Sequence, residues 1–95
     1  KRFPGITTAE LEYRAKLVEL IYYPNDEKIK NMLREADNSN PDNSHSMAAY
    51  RIIHKMSQKF FACEFMDDEE AWEDFVARIR IYAGQLLKES DVQLG

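Results

Sequence analysis

The chain has 95 residues, 44% of them hydrophobic and 32% charged, a balance that suits one globular domain and excludes a disordered polar tail. A net charge of −4 argues against a protein that coats DNA, and no apolar run approaches the ~20 residues that a membrane span needs. With Cys63 the only cysteine, no disulfide can close within the chain, which points to a reducing intracellular compartment, cytoplasmic or nuclear.

The chain opens on Lys1 with no visible signal peptide, so it is expected to be a processed chain or an excised domain. Residues 1–6, which include Pro4-Gly5, form a lead-in. A first helix is predicted from Thr7, whose spacing to Glu10 is that of a capping box, to Tyr23, where Pro24 disfavours helical geometry. Glu10–Arg14 and Glu12–Lys16 have the favourable i,i+4 order. Leu11, Ala15, Val18, Ile21 and Tyr22 make an apolar arc, which Tyr13, Leu17 and Leu20 extend.

A short second helix is predicted from Asp26 to Ala36, capped by Asn25 or Asp26, with Ile29, Met32, Leu33 and Ala36 on one narrow face. "DNSNPDNSHS", residues 37–46, is a polar loop, because short polar side chains compete for backbone hydrogen bonds. The third helix should run from Ser46 to Cys63, with Ala49, Ile52, Ile53, Met56, Phe60 and Cys63 toward the core. Its second apolar arc holds Met47, Tyr50, Phe61 and Phe65.

The fourth helix is predicted from Asp68 to Leu87, with Trp72, Phe75, Val76, Ile79, Ala83, Leu86 and Leu87 on one side and Ile81 nearly opposite. Gly84 is read as a helix interruption, a cap or a place where another helix comes close. Residues 89–95 are read as a frayed tail. No stretch alternates like a strand, so the fold class is all-α, a single four-helix bundle-like domain over residues 1–95.

Two charged features invite a functional reading. "EFMDDEEAWEDF" packs seven carboxylates, Glu64, Asp67, Asp68, Glu69, Glu70, Glu73 and Asp74, into twelve residues. Most of it is explained by a helix start, where Asp67 or Asp68 caps and acids favour the positive end of the dipole; Asp67–Glu70 and Asp74–Arg78 add local pairs. A calcium loop would need a central glycine that is absent, and a catalytic carboxylate pair would need burial. The remaining reading is an acidic patch that steers a basic partner or neutralises the chain's own basic ridge. That ridge is Arg51, Lys55 and Lys59, spaced four apart on the third helix, with Lys59 placed near the acidic stretch by the turn.

No metal or cofactor motif and no P-loop, GxSxG, HExxH or CxxC pattern occurs. His54 and Cys63 would lie roughly 13 Å apart along one helix, too far for a nucleophile and its base. His45 sits in the polar loop without ligand partners, so no catalytic residue is assigned.

"LIYYP", Leu20 to Pro24, resembles a stretch of the small acidic helical immunity proteins that neutralise nuclease bacteriocins. The likeness covers five residues, stands early in the chain and follows Leu17-Val18-Glu19 rather than the family's usual residues, so no functional position is carried over.

The expected function is a non-catalytic protein-interaction module. It would be a domain of a larger protein or a small regulator or inhibitor, docking a basic partner or a second copy of itself. Tyr13, Tyr23, Tyr50, Phe61, Phe65 and Ile81 are its expected anchors, since aromatic residues often supply interface hot spots. The alternative is a nucleic-acid-binding regulatory domain that uses Arg51, Lys55 and Lys59 with help from Lys28, Lys30, Arg34, Arg78 and Arg80.

Overall fold

The computed structural model of the chain describes residues 8–22, 26–40 and 42–94. The lead-in, the Thr7 and Asn25 caps, Tyr23, Pro24 and Pro41 lie outside the described residues. Four α-helices form, with no strand among the described residues: α1 Thr8–Tyr22, α2 Asp26–Glu35, α3 Ser44–Phe61 and α4 Val76–Leu94. A 3₁₀ segment, Glu69–Phe75, leads into α4. α1 lies against both α3 and α4, while α2 lies against α3 and the 3₁₀ segment. The result is a compact all-α bundle whose radius of gyration, 12.8 Å, is close to the roughly 12.4 Å of a globular chain of this length.

α2 buries Ile29, Met32 and Leu33, and α3 buries Ala48, Ala49, Ile52, Ile53 and Met56, as their spacing predicts. Ile79, Ala83 and Leu86 of α4 and Trp72 of the 3₁₀ segment complete the core. α1 departs from expectation. Tyr13, Leu17 and Leu20, read as an extension of its apolar arc, are the buried residues, while Leu11, Ala15, Val18 and Tyr22 face outward. Both sides of this helix are apolar, so periodicity alone could not choose between them.

The ends of the elements are set by local chemistry. Asn43 caps α3 by accepting the Ser46 amide at 3.1 Å, so the helix begins two residues before the predicted Ser46. Before it, Asp37 accepts the Ser39 amide and Asn40 the Asp42 amide, the self-bonding turns that this composition favours. α3 closes on Ala62 in the left-handed region (φ 54°), and the Ala62 amide returns to the Ser57 carbonyl. Cys63 therefore sits in the following turn, partly exposed, and not in the core as its place on the arc implied. Ser57, fully buried, ties that turn down by accepting the Met66 amide on its hydroxyl at 2.8 Å.

Asp68 is the N-cap of the next segment and accepts the Glu70 amide at 3.1 Å. The winding that follows is 3₁₀ rather than α, and its three-residue repeat stacks Glu69, Trp72 and Phe75 along one line. Trp72 and Phe75 then meet Phe61 at ring separations of 4.9 and 4.8 Å. The buried Trp72 indole donates to the Met66 carbonyl at 3.0 Å, which satisfies its polar edge. α4 is helical to Leu94, beyond the predicted end at Leu87, and Ser90 is buried against α1. Gly84 lies within α4, and a Cβ built there would meet nothing within 4 Å, so no other helix approaches it closely.

Candidate docking surfaces

The acidic stretch is divided between two roles. Asp68 is a cap, as read from the sequence, and Glu69 and Glu73 both reach side chains of α2. There Arg34 grips Glu69 through Nε and Nη2 at 3.0 and 2.9 Å, and Lys30 Nζ reaches Glu73 at 2.6 Å. The Arg34 hydrogen bonds hold the Glu69 carboxyl below its usual range, and those that Lys30 donates to Glu73 and Asp26 raise its ammonium above its own. Self-neutralisation thus occurs, but with α2 and not with the expected ridge of α3. Glu64, Asp67, Glu70 and Asp74 remain exposed. Arg78, expected to pair with Asp74, lies over the Phe75 ring at 5.2 Å.

The predicted basic ridge is interrupted at its first member. Arg51 donates to Glu10 at 2.8 Å and covers the Tyr13 ring at 3.9 Å. Glu10 also accepts from the Ser90 hydroxyl at 2.9 Å, and that hydroxyl accepts from Arg14 at 3.0 Å. One carboxylate therefore joins α1, α3 and α4. Its burial alone would raise its pKa, but the bonds from Arg51 and Ser90 and the charges of Arg51 and Arg14 outweigh that and hold it below the ordinary value. Glu10 thus carries a tertiary role, and Thr7, its expected partner in a capping box, lies outside the described residues. Likewise Lys16, expected to pair with Glu12, reaches Glu35 of α2 at 2.6 Å, while Glu12 meets His45 at 3.0 Å.

The expected aromatic anchors do not form one open face. Tyr13 is only 2% exposed and cannot touch a partner; burial pushes its phenol up to about 12. Phe61 is covered by Trp72 and Phe75. Tyr50 stacks between Phe65 and His54, at 5.3 and 5.9 Å, and His54 Nδ1 lies 2.8 Å from the Glu64 carbonyl. The surplus apolar arc of α3 is thus largely covered by the chain's own turn and 3₁₀ segment. Of the six expected anchors, Ile81 alone is widely exposed, at 64%; Tyr23 lies outside the described residues.

What stands open instead is the outer side of α1. Leu11 (49% exposed), Ala15, Val18 (38%) and Tyr22 (72%) follow one another four, three and four residues apart, opposite Tyr13, Leu17 and Leu20. Glu12 and Glu19 border this stripe on one flank and Arg14 on the other. Sequence reasoning saw these residues as part of one wide apolar arc and did not separate the open side from the buried one. Lys16 could not have separated the two faces, because it lies on the buried side, where α2 supplies Glu35 to receive it.

Among the described residues no helix is long and apolar enough to cross a membrane, and no group of three or more His, Cys, Asp or Glu residues is placed to hold a metal ion. No protein-family description, curated protein or solved structure matches this chain.

Proposed function

We propose that the domain is a helical protein-interaction module whose docking face is the outer stripe of α1. The observation that carries this reading is the two-sided apolarity of that helix. A surface helix of a globular protein normally keeps one apolar side, and a helix apolar all round is normally covered all round. The 4-3-4 spacing of Leu11, Ala15, Val18 and Tyr22 is the seam of a helix pair, so the occupant is an amphipathic helix of a partner protein laid along α1, over a length of about 16 Å. Glu12 and Glu19 on one border and Arg14 on the other favour a partner helix that carries the opposite charges along its seam. Tyr22, the most exposed large apolar side chain among the described residues, is the expected anchor.

The test is affinity capture of partners from the source proteome with the native chain and with Val18→Glu, read beside light scattering of the purified protein. The native chain should retain a helical partner that Val18→Glu loses, with helicity unchanged. A dimer that Val18→Glu dissociates would assign the stripe to a second copy instead. Equal recovery by both chains would overturn the reading.

A further inference from the structure

We infer that the cleft between the C-terminal part of α3 and the first half of α4 is a second recognition site, which binds a short acidic segment of another protein around one aliphatic or aromatic side chain. It shares no residue with the α1 stripe and stands independently of it.

The cleft holds about 220 Å³ and is lined by Lys59, Phe60, Arg78, Ile81, Tyr82 and Gln85. Its floor is apolar: Phe60 meets Tyr82 edge-on at 5.8 Å, and Ile81 stands at the border between this cleft and a second depression that contains Arg80. An isolated exposed isoleucine needs no explanation, but one set between two clefts and three cations does.

Charge distribution supplies the chemistry of the occupant. Acidic residues outnumber Lys and Arg by 17 to 13 in this chain. Lys16, Lys30, Arg34 and Arg51 each reach a carboxylate. Among the described residues no carboxylate pairs with Lys59, Arg78 or Arg80. Lys59 lies 5.5 Å from the centre of the Tyr82 ring, and Arg78 5.2 Å from that of Phe75. Resting on rings steadies these long side chains at the rim and leaves their hydrogen-bond donors available to an incoming anion. An apolar floor with Lys59 and Arg78 at its rim, neither paired with a carboxylate, complements a peptide carrying carboxylates on either side of a bulky residue. A nucleic acid fits less well: three cations around an exposed isoleucine neutralise few phosphates, and the net charge of −4 repels the remainder.

Phage-displayed random peptides panned on the native chain test this directly, with enriched peptides resynthesised and titrated by fluorescence polarisation. The expected result is enrichment of acidic sequences holding one bulky apolar residue. Their affinity should drop about tenfold or more with Arg78→Glu and with Ile81→Asp, fall as salt rises, and stay unchanged with Val18→Asp. Chemical-shift changes in the unaltered protein should centre on Ile81 and Tyr82, a readout independent of any variant's folding. Selection of sequences with no acidic bias, shifts confined to α1, or tighter binding of random duplex DNA than of the peptides would each overturn the proposal.

Discussion

Tyr13 and Glu10 show how a single side chain changes meaning once neighbours from other helices arrive. Both belong to α1, yet Arg51 of α3 touches both, and Ser90 of α4 completes the group. Their titration should therefore govern stability at the two ends of the pH scale. The folded-state pKa of Tyr13 is raised from 10.0 to about 12 by burial, so its contribution is complete below pH 10 and is lost as pH climbs toward 12. Tyr13→Phe should flatten that alkaline loss in melting curves followed by circular dichroism. Glu10 behaves in the opposite sense. Its folded-state pKa lies below the ordinary 4.5, so its contribution is present above pH 4.5 and disappears as pH falls through the lower folded value. Glu10→Gln should make the acid limb shallower while lowering the melting temperature at neutral pH.

Helix ends and interiors carry the next set of expectations. Ala62 takes a left-handed cap that glycine adopts without steric cost, so Ala62→Gly should stabilise the protein by about 1 kcal/mol in urea unfolding. Gly84 is the reverse case: it sits inside α4 with open space where a Cβ would go, so Gly84→Ala should also add about 1 kcal/mol. Two limits were legible because their causes are local: Pro24 follows closely on the end of α1, and Asp68 caps the stretch before α4. The Asn43 cap of α3 and the run of α4 from Val76 to Leu94 were not read from the sequence. The 3₁₀ winding of Glu69–Phe75 was not legible. It depends on Trp72 and Phe75 seating against Phe61 and on Lys30 and Arg34 drawing the acids toward α2, and both are contacts between segments distant in sequence.

The two faces of α1 decide what the assembled bundle offers to its surroundings. Leu17→Ala should cost about 2–5 kcal/mol, since Leu17 is fully buried. Val18→Ser, one position along on the outer stripe, should stay within about 0.5 kcal/mol of the native chain. Comparable losses for the two would show that the stripe is covered within the folded chain. The basic charges sort in the same global way. Arg51, Lys30 and Arg34 are drawn into bridges between helices, while Lys59, Arg78 and Arg80 are left around Ile81.

Sequence alone determined the helical class, three of the four buried faces, the cap at Asp68, and the outward position of Ile81. Hydrophobic spacing and short-range hydrogen bonding are properties of neighbouring residues, so they can be read along the chain. Only the tertiary structure decided which side of α1 is buried, which carboxylate each cation takes, and which apolar residues stay open. Each of those outcomes is a competition between equally suitable candidates, and it is resolved by the position of a second helix that no local pattern encodes.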